Sequence, residues 1–315
     1  MFGLMNSIKN TSSSYSYITI PLLSILYLYF SKITFGLRTD HFVLVVIVNF
    51  CYFLSISTRR LIIGLGIIIV YWIIYDSMKV WPNWAFNEVD ILPLYNLEKY
   101  LFGIREGNNF ITPNEFFLSH SFVFADIICG AFYLCWMPLP LFFAFYLYFK
   151  NKNLFLRFSM AFFIVNCIGF VIYYLHPAAP PWYYEKYGSV LDVTTKSNAA
   201  GLLRFDTFFG IHLFEDLYSK GSNVFAAMPS LHSSYPLIGL IYAFKHPEKW
   251  LKILFATVMV GIWFSAIYLS HHYILDVIVG IACGLLGIYF FEKVMLRNEW
   301  FKKFMKKYED VISNQ

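Results

Sequence analysis

What most limits the folds open to this chain is a series of apolar runs, each long enough, or nearly so, to cross a bilayer. They fall at roughly 17–35, 41–57, 61–78, 122–149, 154–175, 224–244, 251–270 and 273–294. A crossing takes about 20 residues, and hydrocarbon offers the backbone no hydrogen-bond partner, so runs of this kind cross as helices. Hydrophobic residues make up 59% of the 315 and charged residues 14%, a balance that excludes an ordinary soluble domain. The expected architecture is all-α, a polytopic membrane bundle of about eight transmembrane helices. The first run has neither a strongly basic start nor a small-residue cleavage site, so it is expected to be retained as a helix.

Basic residues orient the bundle. Lys9, Arg59-Arg60, Lys150, Lys152, Arg157, Lys245, Lys249, Lys252 and the tail from Lys293 to Lys307 share one side. That side totals 15 basic and 5 acidic residues, against 9 and 14 on the other, so it is expected to be cytoplasmic. Two long non-spanning stretches, 79–121 and 176–223, lie on the outer side. They show no strand pattern, and their aromatic and proline content argues for ordered segments against the membrane surface. The second opens His176-Pro177-Ala178-Ala179-Pro180-Pro181, where the prolines end the preceding helix in an extended, stiff turn. Cys51, Cys129, Cys135, Cys167 and Cys283 all lie in apolar runs without a Cys-x-x-Cys; they read as small core hydrophobes, not as a metal site or disulfide framework. The net charge of +5 is carried largely by the stretch from Arg297 to Lys307, expected to lie as an interfacial helix on anionic lipid. Nucleic acid is not expected as a partner.

Two short segments carry the chemistry: Pro229-Ser230-Leu231-His232 and His271-His272-Tyr273-Ile274-Leu275-Asp276. Two apolar runs joined by a charged turn separate them, one crossing down and one back, so both segments return to the outer face. On a helix His272 and Asp276, at i and i+4, share a face. The carboxylate can then hold one imidazole nitrogen and leave the other free as nucleophile or base. The same spacing suits a pair that merely ties two helices. His232 favours chemistry, because it sits at the outer start of its helix, where unpaired N–H groups attract an anion. Ser230 and Ser233 add hydroxyls beside it, although Ser230 equally suits a helix cap. Polar residues inside the runs are few, and Asp76, Asp126, Asn166 and Asp276 stand out as functional candidates.

The Pro-Ser-x-His segment, followed by His-x-x-x-Asp on the second helix after it, resembles the second and third signature motifs of the phosphatidic-acid phosphatase type 2 superfamily. Further segments resemble its inositol phosphorylceramide synthase branch: Phe116-Phe117-Leu118-Ser119-His120 with Asp126 after it, Pro177-Ala178-Ala179-Pro180-Pro181-Trp182-Tyr183, Ala200-Gly201-Leu202-Leu203-Arg204-Phe205-Asp206, Val224 to Ser233, and Tyr268-Leu269-Ser270-His271-His272-Tyr273. The likeness covers about residues 110–285. It implies that His272 attacks phosphorus to give a phosphohistidine, with Asp276 orienting and stabilising it. His232 would protonate the leaving alcohol and then deprotonate the incoming one, work an imidazole near its ordinary pKa can do. No metal or other cofactor is expected. The catalytic membrane domain, with a six-helix core and outer-face interfacial segments, is expected over 61–295; peripheral helices fill 1–60 and the basic cytoplasmic tail 296–315.

Departures from the phosphatase pattern narrow the expectation. Phosphatase members carry Ser-Arg seven residues before the nucleophilic histidine, where this chain has Ser265-Ala266. Their first motif, a Lys and then Arg-Pro, is absent, and Pro181-Trp182 stands near its place. Those cations clamp a phosphomonoester dianion, so their loss favours a phosphodiester, which carries one charge less. Arg204 and Lys79 are the cations left to meet phosphate, Arg204 first because it lies in a matched segment, with a surface ion pair to Asp206 as its alternative. Asp126 suits the hydroxyls of a polyol head group, or a structural partner on a neighbouring helix. His271, His120 and His176 are expected to be interfacial or structural. The expected function is transfer of phosphoinositol, or a similar phospho-head group, from a glycerophospholipid to a ceramide-type acceptor at the non-cytoplasmic face, with both lipids as partners. A lipid phosphate hydrolase of the same superfamily, and a transporter using the His–Asp pair as a proton relay, remain as alternatives.

Overall fold

A computed structural model describes residues 2–34, 36–78, 80–219, 221 and 223–313, with side chains from Tyr17 onward. The chain divides into two compact units, Met1–Val80 with Asp310–Gln315, and Trp81–Glu309. In the first, α1 (Phe2–Thr34) is followed by α2 (Thr39–Leu54), α3 (Ile56–Gly64) and α4 (Gly66–Ser77). Asp76 is buried in this unit, where Arg38 Nη2 donates to its two oxygens at 2.7 and 2.6 Å and His41 Nε2 lies 3.3 Å away. That is an ion-pair network internal to the unit.

The second unit begins with short elements: α5 (Leu92–Phe102), the antiparallel hairpin β1 (Ile104–Glu106) and β2 (Asn109–Ile111), and α6 (Pro113–Ser119). The hairpin departs from the strand-free reading of 79–121. Its two-residue turn, Gly107-Asn108, supplies the positive φ (61° at Gly107) that a tight hairpin needs. Helix α6 starts at a capping box: Thr112 Oγ1 accepts the Glu115 N–H while Glu115 Oε2 accepts the Thr112 N–H at 2.7 Å, and Pro113 occupies the first turn. The long helices follow: α7 (Val123–Leu134), α8 (Pro138–Lys150) and α9 (Lys152–Leu175). The prolines after His176 stop α9 as expected; the short helices α10 (Pro181–Tyr187), α11 (Leu203–Phe209) and α12 (Leu213–Ser219) follow. The unit closes with α13 (Leu231–Phe244), α14 (Lys249–Tyr268), α15 (Ile274–Tyr289) and all but the last turn of the amphipathic α16 (Glu299–Ile312). Helix α13 is central and packs on α14, α15, α9 and α8, while α14 also packs on α7.

The protein is a multi-pass membrane protein. Among the described residues four helices are long and apolar enough to cross: Tyr17–Thr34, Lys152–Leu175, Lys249–Tyr268 and Ile274–Arg297. Two bent pairs, α3 with α4 (48°) and α7 with α8 (41°), bring the number to six if each pair is one span. The bends have local causes: glycines at 64 and 66 flank the first, and Pro138, which has no N–H to donate, follows the second. The expected eight is not reached by this measure. Helix α2 has 16 residues, and α13 has 14 because 223–230 forms an irregular approach to His232.

Opposite ends of the second unit carry different chemistry. At the Lys245 end, Glu292 accepts hydrogen bonds from Tyr242 Oη at 2.6 Å, from Lys245 Nζ at 2.8 Å and from the Arg157 guanidinium. At the other end, where α13 and α15 begin, lie both histidine segments.

Candidate active site

Backbone and side-chain bonds from several elements fix the two segments. The Ser230 N–H donates to the Asp276 carbonyl at 2.9 Å, docking the start of α13 on α15. Gly280, one turn further along α15, makes that approach possible, since a Cβ there would run into the Ser230 carbonyl. The turn between α14 and α15 passes through Ser270, held at φ 56°, a left-handed conformation that costs a residue with a side chain about 1 kcal/mol or more. Helix α10 holds it there: the Trp182 N–H donates to the Ser270 carbonyl at 3.1 Å, and Ser270 Oγ donates to Glu185 Oε1 at 2.7 Å. The N–H groups of His271 and His272 both reach the Ala266 carbonyl at 3.0 Å. Asn114 Nδ2 donates to the His272 carbonyl at 3.0 Å.

This frame sets His232 Nδ1 3.1 Å from His272 Nε2. Behind His272, its Nδ1 lies 3.4 Å from Asp276 Oδ2, the oxygen that also accepts the Tyr273 N–H at 2.9 Å. His272 is 5% exposed and Asp276 0%, whereas His232 retains partial exposure. Burial pushes the His272 imidazole down to about 4, so it is neutral at pH 7 and one nitrogen can serve as a nucleophile. Two imidazoles in contact, one backed by a carboxylate, suit a transfer that needs a nucleophile and an acid–base group together.

The remaining expected residues take varied places. Ser230 and Ser233 are fully buried and bond to each other, Ser233 Oγ donating to Ser230 Oγ at 3.0 Å; Ser230 precedes α13 but its side chain makes no cap bond. Arg204 pairs with Asp126 (Nε to Oδ1, 2.7 Å), not with Asp206. Tyr268 Oη donates to the same Asp126 oxygen at 2.9 Å, and Arg204 Nη2 is buried with no protein acceptor. Asp206 instead caps α12, its Oδ2 accepting the N–H groups of Phe214 and Glu215 at 2.9 and 3.0 Å. Lys79 lies outside the described residues. His271 is buried and its Nε2 donates to the Ala199 carbonyl at 3.0 Å; His176 meets Asp90 at 3.4 Å, and His120 is exposed and stacks on Phe116. Asn166 accepts the Tyr235 hydroxyl at 2.6 Å, joining α9 to α13.

Two neighbours of the site are absent from the sequence-based expectations. Glu98 on α5 is fully buried and accepts the N–H groups of Ile274 and Leu275, the first turn of α15. Tyr133 on α7, 0% exposed, places its hydroxyl 3.1 Å from His232 Nδ1. Glu98 stood out in the sequence only as an acidic residue in the amphipathic stretch Leu94 to Phe102, a pattern that names no partner. Tyr133 offered no signal, as one of 24 tyrosines in an apolar sequence.

Fold and site together define a helical membrane protein built around a His–His–Asp constellation at one end of its bundle. The profile of the PAP2 superfamily matches residues 107–290, and the chain belongs to that superfamily, within its inositol phosphorylceramide synthase-like branch. It is 42% identical over 297 residues to a phosphoinositol dihydroceramide synthase of Bacteroides thetaiotaomicron, a match that covers 94% of this chain and 97% of that protein. Fungal relatives match a shorter core. The inositol phosphorylceramide synthase catalytic subunit of Saccharomyces cerevisiae is 35% identical over 118 residues, 37% of this chain and 29% of the yeast protein. The inositol phosphorylceramide synthase of Candida albicans is 33% identical over 125 residues, 39% of this chain and 26% of its own length. No solved structure matches.

Proposed function

We propose that the protein transfers phosphoinositol, or a closely similar phospho-head group, from a glycerophospholipid to ceramide or dihydroceramide, releasing diacylglycerol. The 3.1 Å contact of His232 with His272, in a chain similar over nearly its whole length to a phosphoinositol dihydroceramide synthase, carries this reading. His272 Nε2 attacks phosphorus and the bond to the glyceride oxygen breaks, that oxygen taking a proton from His232. The phosphohistidine is then attacked by the ceramide hydroxyl, whose proton passes to His232 as the N–P bond breaks and frees His272. Asp276 stabilises the positive charge on His272 in both steps. Two proton transfers in opposite senses return every group to its starting state.

Arg204 supports a monoanionic phosphodiester. Its charge is largely balanced by Asp126, yet Nη2 keeps a donor free of protein acceptors. The site would gain little from a second phosphate charge, whereas one donor suits the head group of a phosphodiester. Ser230 and Ser233 serve this reading by shaping the start of α13. Lys79 remains a candidate second cation. The basic residues Arg157, Lys245 and the α16 lysines support a reading in which that end faces the cytoplasm and the histidines act at the periplasmic or lumenal face.

The test is product identity. Full-length protein in vesicles, given phosphatidylinositol labelled in the inositol ring together with dihydroceramide, is expected to form a labelled phosphosphingolipid and equimolar diacylglycerol. Labelled inositol phosphate released without a sphingolipid product would assign the site to hydrolysis. Turnover of a choline or ethanolamine donor in place of phosphatidylinositol would change the head group.

A further inference from the structure

His232 Nδ1 has two partners at equal distance, His272 Nε2 and Tyr133 Oη, each 3.1 Å away. A ring nitrogen carries one in-plane proton or one lone pair, so it bonds well to only one of them at a time. In the transfer proposed above, phosphorus must occupy His272 Nε2, and the contact between the imidazoles is then broken. Tyr133 is the partner left to His232 Nδ1. We propose that Tyr133 is a positioning residue that holds this nitrogen through both half-reactions and so presents Nε2 of His232 to the departing and arriving oxygens; the inference rests on the transferase reading.

The chemistry is consistent at each stage. As an imidazolium, His232 donates Nδ1–H to Tyr133 Oη and gives its Nε2 proton to the glyceride oxygen. Once neutral, it keeps Nδ1–H on Tyr133, and the Nε2 lone pair takes the proton of the incoming ceramide hydroxyl. Nδ1–H thus stays on the same acceptor in the charged and the neutral ring. Tyr133 is itself immobilised: its ring stacks on His271 at 5.0 Å and 16° between planes, and His271 is anchored to the Ala199 carbonyl. Trp136, just past the end of α7, closes on His232 edge-on at 4.4 Å. The end of α7 therefore supplies both a wall and a hydrogen-bond acceptor for the acid–base histidine.

Tyr133→Phe in the full chain separates positioning from packing, because it removes the hydroxyl and leaves the ring on His271. With phosphatidylinositol and dihydroceramide, kcat is expected to fall roughly 10- to 100-fold, a part of the roughly 100- to 10,000-fold that general acid–base catalysis contributes, with KM changed less than about twofold. A p-nitrophenyl phosphoinositol donor loses nitrophenolate without needing a proton, so the burst of that release is expected to slow less than about threefold. An unchanged kcat with phosphatidylinositol, or an equal slowing with both donors, would overturn the role. Failure of the transferase reading shows separately, as a wild-type protein that makes no sphingolipid product.

Discussion

Glu98 caps Ile274: one carboxylate oxygen accepts that N–H at 2.9 Å while the other accepts the N–H of Leu275 at 3.1 Å. The acceptor comes from α5 and the donors from the helix that carries Asp276, so α5 is bonded to the start of α15, beside His272. Burial, opposed by these two bonds and reinforced by the charge of Asp276, pushes the Glu98 carboxyl up from 4.5 to about 7. With its folded value above its unfolded value, Glu98 contributes stability that is complete below about pH 4.5 and is lost as pH rises through about 7. The wild-type melting temperature is expected to fall across that window more steeply than that of Glu98→Gln, which cannot ionise. Parallel melting curves from pH 4.5 to 8 check this, and equal slopes would show that Glu98 does not titrate there.

Gly280 controls how closely α15 can approach Ser230. Gly280→Ala puts a methyl group against the Ser230 carbonyl and must shift one segment or the other, at a cost of about 1–3 kcal/mol typical of overpacking. The shift acts directly on the distance between His232 and His272. The expected outcome is a lowered melting temperature and a fall in kcat of at least about tenfold, since small displacements of catalytic groups are expensive. Gly284, where an added Cβ meets only ordinary contacts at 3.5 Å and beyond, is the control: Gly284→Ala should leave both quantities near wild type.

Arg204 is expected to act on donor binding. Arg204→Ala removes the free Nη2 and leaves Asp126 without its cation, so KM for the donor lipid should rise about tenfold and the melting temperature should fall, a buried carboxylate being costly once its charge is uncompensated. Arg204→Lys should rescue the melting temperature in part and KM little, because an ammonium cannot hold Asp126 through one nitrogen while presenting a second, planar donor. Steady-state kinetics at varied donor mole fraction separate the two.

The convergence of positions 232, 272 and 276 was legible because it depends on local rules. A four-residue spacing sets His272 against Asp276, and an even number of crossings returns His232 to their side. Arg204 shows where such rules stop. Arg204 and Asp206 are two apart on α11 and face different sides of the helix, so Arg204 turned to Asp126, 78 positions away, and Asp206 to the start of α12. Glu98 was hidden for a related reason: its partners are backbone N–H groups 176 and 177 residues distant, which no side-chain pattern announces. The start of α13 was not legible because hydropathy does not register where a helix begins, and the apolar run 224–244 spends its first residues in an irregular segment before α13.

The central claim is that His272 carries the phospho-head group between the two lipids. Full-length protein mixed with phosphatidylinositol labelled at phosphorus, without ceramide, and quenched in alkali should retain label on a peptide containing His272, stable to base and released by acid. Addition of dihydroceramide before the quench should discharge that label into lipid, and His272→Ala should abolish both. Product formation at the normal rate with no label on His272, or in the His272→Ala protein, would contradict the account.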